Sequence, residues 1–209
     1  MEKTGIKYLI LPAIVMILGI ILSNTGGYII ALLGILAFGF TLFFFRDPAR
    51  DIPPGEENIL SPADGKIVQI KRINSPDIGA GIVVAIFMSP LNVHINRAPC
   101  DGKVLNVKHF PGGFKRAYLP ESSFQNERTE LIIENNNGKI KLKQIAGIIA
   151  RRIVCRVGVG DTVKMGEKFG LIHFGSRVEL ILPKNSVQIL AKCGQKVTAG
   201  IDIIAKWKN

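Results

Sequence analysis

GDTVKMGEKF (Gly160–Phe169) and GQKVTAGIDI (Gly194–Ile203) are two versions of one pattern, G-x-x-V-x-x-G followed by an apolar residue three places on. Glycines on either side of a lone valine read as turns bracketing a very short strand, because glycine enters backbone conformations closed to other residues. Such a unit, repeated, points to two related hairpins. A second echo lies upstream: Asp64-Gly65-Lys66-Ile67 returns as Asp101-Gly102-Lys103-Val104, each a tight turn opening a strand. Around both echoes, short Ile- and Val-rich runs alternate with glycine-bearing turns. Strands are expected at Lys66–Ile73, Ile82–Met88, Gly102–Val107, Arg128–Glu134, Lys139–Ile145, Val154–Val157, Phe169–His173, Arg177–Leu182 and Gln188–Ala191. Ser89–Asn96 and Gly147–Arg152 are the two candidates for short helices.

The expected fold class is therefore mainly β, a flattened sandwich or barrel whose hairpin repeats are like those of lipoyl and biotinyl domains. About 150 residues suffice to bury such a core without disulfides. The three cysteines, Cys100, Cys155 and Cys193, have no metal-type spacing and suit a reducing compartment. No metal site is expected.

Ahead of this domain, Tyr8 to Phe45 carries no charge and is rich in Ile, Leu and Phe. The run is too long for a cleaved signal peptide and is interrupted by Ser23-Asn24-Thr25-Gly26-Gly27, a turn. Two short membrane helices are expected near residues 6–22 and 28–45, making residues 1–46 an anchor, followed by a Pro53-Pro54 linker over 47–57. Lys3, Lys7, Arg46 and Arg50 flank the outer ends, which places both termini and the following domain on the cytoplasmic side. A formal charge of +11 calls for a polyanionic partner. No basic-aromatic strip or helix-turn-helix pattern points to nucleic acid, whereas anionic headgroups suit a chain already held in a bilayer.

Three ordered segments carry the chemistry: SPADGKI (Ser61–Ile67), MSPLNVHINRAP (Met88–Pro99) and HFGSRVEL (His173–Leu180). Together they resemble the phosphatidylserine decarboxylase family in its short form. The resemblance covers nearly all of residues 46–205. It implies that residues 58–209 are a catalytic domain that cuts itself between Gly175 and Ser176. The serine then becomes a pyruvoyl cofactor on the smaller of two chains. That carbonyl would form a Schiff base with the amine of a serine phospholipid, phosphatidylserine or its archaeal diether counterpart archaetidylserine, and accept electrons as the carboxylate leaves. The resemblance gives His94 a proton-transfer role and Asp64, in P-x-D-G, a part in self-cleavage. Longer members of the family carry a second histidine three residues after the one matching His94; here that place is Arg97. Either His94 serves both reactions, or Asp64 and Ser176 find help elsewhere, with Arg97 suited to holding an anionic substrate.

The residues also have simpler readings. Gly-Ser is a common turn dipeptide and Asp-Gly a common hairpin turn. His94 beside Pro90 and Pro99 reads equally as a packed histidine. His109 precedes Phe110-Pro111-Gly112, a loop like the family's x-P-G segment, and is expected to touch headgroup phosphate. Arg128 in Asn126-Glu127-Arg128 matches a family segment implying substrate binding, and reads otherwise as an exposed charged turn. Lys115-Arg116 and Arg151-Arg152 are lipid contacts or a solvated basic face. Alternation puts His173 on the opposite sheet face from Ser176, away from chemistry. A membrane-tethered, non-catalytic lipoyl-like sandwich or lipid-binding module also accommodates the repeats, although no M-K-M carrier lysine occurs. The sequence leaves a homo-oligomer open.

Overall fold

The computed structural model describes residues 1–148, 152–173 and 175–208, and the chain divides into two units, Met1–Ala49 and Arg50–Asn209. The first is a pair of apolar helices. Lys3–Leu9 winds as a 3-10 helix that runs into α1 (Ile10–Leu22), and α2 covers Thr25–Phe44. Pro12 accounts for the change of winding: it has no N–H to bond back to Tyr8, so the turn before it loses an α-helical bond. The second helix begins at Thr25, ahead of residue 28, because Asn24 Oδ1 caps it by accepting the Gly27 N–H at 2.8 Å. A side chain on Gly19 would strike the backbone of Gly27 and Ala31, and one on Gly34 that of Met16, the small-residue approach that packs helices in lipid. Lys3–Leu22 and Thr25–Phe44 are each 20 residues long, enough to cross a hydrocarbon core of roughly 30 Å. Their outward Ile, Leu and Phe side chains are exposed, which fits a membrane anchor.

The second unit is built from β1 (Asn58–Leu60), β2 (Gly65–Ser75), β3 (Gly79–Met88), β4 (Ile95–Arg97), β5 (Gly102–Phe110), the short α3 (Ser122–Gln125), β6 (Arg128–Asn135), β7 (Gly138–Ile145), β8 (Ile153–Cys155), β9 (Thr162–Val163), β10 (Lys168–Ile172), β11 (Ser176–Pro183), β12 (Val187–Ile189), β13 (Lys196–Val197) and β14 (Ile203–Trp207). They make a curled eight-stranded sheet, β13-β2-β3-β11-β7-β6-β5-β9, and two three-stranded sheets, β1-β14-β12 and β4-β10-β8. Each expected strand has a counterpart. Ser89–Asn96 is not a helix: the Ser89 N–H and hydroxyl both donate to Asn92 Oδ1 at 2.8 Å, closing a side-chain turn, and β4 starts at Ile95. Of the other helix candidate, Gly147 and Ile148 are not helical, and residues 149–151 lie outside the described residues.

The two echoes in the sequence are partners in space. β13 lies on β2 with Val197 opposite Gly65, and β9 lies on β5 with Val163 opposite Gly102. Gly194 N–H donates to Ile67 O and Ile67 N–H to Gln195 O; equivalently, Gly160 N–H donates to Val104 O and Val104 N–H to Asp161 O. Asp64 Oδ1 accepts the Ala199 N–H at 2.8 Å where Asp101 Oδ1 accepts that of Met165 at 2.6 Å. The unit used twice is thus an Asp-Gly strand clasped by a glycine-turned arch. Each arch sends its two short strands into different sheets instead of pairing them with one another. Gly166 (φ +80°) and Gly200 (φ +73°) turn the arches in the left-handed region.

Along β11, Val178, Leu180 and Leu182 face the core with Val84, Ile86 and Met88 of β3 and Leu142 of β7. Arg177 and Glu179 face the other way, joined at 2.9 Å, and Ser123 of α3 donates to Glu179 Oε2 at 2.8 Å. That bond fastens the segment between β5 and β6 over the outer face of the sheet.

Candidate active site

Three strand ends meet. Ser176, first in β11, lies opposite Met88, last in β3, and Arg177 lies opposite Ile145, last in β7. Alternation along β11 turns Ser176 to the core side with Val178, so the serine is fully buried. Its hydroxyl donates to Met88 Sδ at 3.3 Å. The same sulfur is 3.8 Å from Asn96 Nδ2, and Asn96 Oδ1 accepts from Gln144 Nε2 at 2.8 Å. Gln144 Oε1 is buried with no hydrogen-bond partner, so this polar floor keeps one acceptor free, which buried groups seldom do without a reason.

Gly175 has φ +63°, and a Cβ there would meet nothing within 4 Å; conformation, not space, asks for glycine. Space is decided at Gly147. A Cβ on Gly147 would collide with the Gly175 carbonyl oxygen and come within 3.0 Å of its carbon and 3.2 Å of Ala117 Cβ. Gly147 is held there by Asn126, which is wholly buried: Nδ2 donates to Ala146 O at 2.7 Å and Lys115 O at 2.8 Å, and Oδ1 accepts the Lys115 N–H at 2.9 Å.

His94 hangs from the end of β10, whose Ile172 N–H donates to His94 O at 3.1 Å. Its ring is buried and faces the glycine. The Gly175 N–H can only donate, so Nε2, 3.2 Å away, is the acceptor; Nδ1 then carries the proton and donates it to Asn92 O at 2.9 Å. The tautomer follows from that network. The result is a neutral imidazole with its basic nitrogen turned to the Gly175–Ser176 segment.

The structure therefore brings Gly175, Ser176 and His94 together. Asp64 is engaged at an arch: Oδ2 pairs with Arg50 at 2.9 Å and Oδ1 takes the Ala199 N–H, so both oxygens are occupied and neither bonds a histidine. Arg97 is buried, donates from Nη1 to Gly166 O at 2.8 Å and packs its stem on Gly200, bracing both arches. His109 faces Thr129 Oγ1 at 3.2 Å with its ring half exposed. Arg128 donates to Glu130 at 2.8 Å and stacks on Phe110. Both sit where β5 and β6 pair at the foot of the segment over the sheet. His173 is buried just beyond β10, its N–H on Arg152 O; Arg151 lies outside the described residues. No cluster of three metal-ligating side chains occurs among the described residues.

Two hollows flank this region. One, of about 160 Å³, opens beside Gly175 and is walled by Phe87, Pro90, Ala117, Tyr118 and Ile148 with Arg116 at its edge. A cleft of about 280 Å³ lies on the outward face of β11, among Lys71, Lys141, Lys143 and Glu179. Ser176 points away from that cleft. Gly147 and Gln144 are site residues that no motif announced, and Met88, Asn96 and Asn126 lie in the Met88–Pro99 and Asn126-Glu127-Arg128 segments without having been given a role. Only the G at 147, an unforced glycine between apolar residues, was a signal of close approach.

Known proteins similar to this chain are carboxy-lyases. The family model described as phosphatidylserine decarboxylase matches residues 37–205. The chain is 44% identical over 212 residues to a phosphatidylserine decarboxylase proenzyme of Ehrlichia canis (strain Jake), covering 100% of this chain and 92% of that one. It is 41% identical over 202 residues to the proenzyme of that name from Chlorobaculum tepidum, covering 96% and 93%. The chain belongs to the phosphatidylserine decarboxylase family.

Proposed function

We propose that this chain decarboxylates phosphatidylserine to the ethanolamine lipid after cutting its own backbone between Gly175 and Ser176. The observation that carries the reading is the basic Nε2 of His94 on the Gly175 N–H, beside a buried Ser176 hydroxyl. Ser176 Oγ attacks the Gly175 carbonyl carbon as the C–N bond breaks, and the amide nitrogen gains the proton that left Oγ. His94 is placed to hold that proton in passage. Loss of the Ser176 Cα proton then expels the Gly175 carboxylate from Cβ, leaving dehydroalanine. Water replaces its nitrogen and ammonia departs.

The residues present suit the pyruvoyl group so formed: a buried position for residue 176 and a polar floor with a free acceptor at Gln144. Such a group supplies an electron-accepting carbonyl for decarboxylation. His94 remains beside it as the proton donor or acceptor. Asp64, on this reading, supports self-cleavage by fixing the arch and Arg50; Arg97, His109 and Arg128 stand as candidates for the headgroup only through rearrangement of their present bonds.

Intact mass spectrometry under denaturing conditions tests the cleavage. Two fragments ending at Gly175 and starting at residue 176, the smaller lighter by about 17 Da (ammonia) than a serine-initiated peptide, support it. A single 22.8 kDa species overturns it. His94→Ala is expected to lower carbon dioxide release per processed chain by about 10²–10⁴-fold, or to abolish it where the chain stays uncut. Normal turnover would remove His94 from the reaction.

The flanking Lys3, Lys7, Arg46 and Arg50 support a cytoplasmic soluble unit. Burial pushes the Cys100 thiol up to about 12, and burial also raises that of Cys155, while Cys193 is exposed. An impermeant thiol reagent is therefore expected to label Cys193 in inverted membrane vesicles and not in intact cells; the reverse would invert the topology.

A further inference from the structure

We propose that the rim of the hollow beside Gly175 is a second membrane contact, on the soluble unit, that seats on the surface of an anionic phospholipid bilayer. The proposal deepens the lipid-substrate reading and rests on it. Leu91 is 66% exposed, Ile148 52% and Tyr118 45%. They come from three segments far apart in sequence: those that follow β3 and β7, whose ends flank β11, and the one between β5 and β6, which Asn126 ties to Ala146 through Lys115. Leu91 follows Pro90 of the hollow's wall, while Tyr118 and Ile148 are themselves in that wall. Single exposed apolar residues are ordinary, but several large ones around one opening mark an interaction surface.

Charge selects the partner. Residues 111–121 carry exposed Lys115 and Arg116 against one acid, Glu121, and residues 89–93 and 146–148 carry no charge. Arg116 Nη1 donates to the Tyr118 hydroxyl at 3.0 Å, and the Tyr118 ring stands edge-on to Phe87 with centroids 5.9 Å apart. An aromatic ring at headgroup depth beside a guanidinium is the chemistry of a bilayer interface, where the guanidinium takes phosphate. A second copy of this chain would oppose the same two bases across a self-complementary contact, which disfavours it. Seated in this way, the opening faces the headgroups, and a serine headgroup reaches the Gly175–Ser176 region while its tails stay in the bilayer.

The test uses the full chain, reconstituted in vesicles of phosphatidylserine and phosphatidylglycerol with or without bromine on the acyl chains. Tryptophan is placed at the rim in Leu91→Trp and Ile148→Trp. Val159→Trp is the control: Val159 is also 66% exposed, but its neighbour Gly160 bonds Val104, at the end of β5 away from Phe110. The native Trp207 is buried and gives a common background. Insertion to the acyl boundary, about 5–10 Å deep, is expected to quench the two rim tryptophans by more than half in the vesicle-bound fraction and to spare position 159. Rim emission quenched no more than position 159 overturns the proposal, as does emission that responds to protein concentration and not to bromolipid, which marks a protein interface. The readout needs no turnover, so failure of the decarboxylase reading, seen by mass spectrometry, is separate from failure of the rim.

Discussion

Ser176→Ala is expected to yield a folded chain that runs as one 22.8 kDa species and releases no carbon dioxide from phosphatidylserine. Removing Oγ removes the nucleophile for the Gly175 carbonyl and with it the ester whose elimination leads to the pyruvoyl group, so no partial activity is left to measure. The fold has little to lose. Ser176 is fully buried on the core side of β11, and its hydroxyl holds only the Met88 sulfur. A methyl suits that site, at a cost of about 1 kcal/mol or less. Thermal unfolding close to the parent's, with a single band on a denaturing gel, is the expected pair of results. Decarboxylation by the uncut variant would refute the mechanism outright.

Gly147→Ala is expected to stop or severely slow self-cleavage although no motif contains Gly147. The added Cβ cannot coexist with the Gly175 carbonyl oxygen where it now sits, and Ala117 closes the other side at 3.2 Å. Either the carbonyl turns away from Ser176 Oγ or the 146–148 segment retreats from it. Asn126 resists the second, since three hydrogen bonds tie it to Ala146 and Lys115. A displacement of about 1 Å at a reacting carbon is enough to cost on the order of 100-fold in rate. Following the uncut fraction over time after synthesis checks the point: accumulation of full-length chain with unchanged core stability is expected, and maturation at the parent's rate would show that the contact is incidental.

Much of this protein was legible in its residues. Strands such as Ile82–Met88 and Arg177–Leu182 have length and β-branched content enough to declare themselves, and an uncharged stretch from Tyr8 to Phe45 has few fates outside a bilayer. The ordered segments around Asp64, His94 and Ser176 were recognisable as family motifs. Of the strands that escaped, β9 and β13 are two residues long and β1 and β4 three, too short for alternation to show, so that partner strands alone make them regular; β14, at five residues, escaped as well. Ser89–Asn96 misled because the Asn92 side chain accepts the Ser89 backbone N–H and hydroxyl in a side-chain turn, an economy with no periodic signature.

The sequence by itself determined the classes of element and the apolar helical pair, because each rests on local composition, and it carried the His94 and Gly-Ser segments only as a resemblance to a family. Only the tertiary structure decided that the two echoes clasp each other, that Asp64 and Arg97 serve the arches, and that Gly147 and Asn126 bear on the Gly175 carbonyl. Those facts depend on register between strands distant in sequence. Alternation then turns Ser176 inward and Arg177 outward, and the convergence of strand ends gathers Ser176, His94 and an apolar mouth from segments that share no pattern.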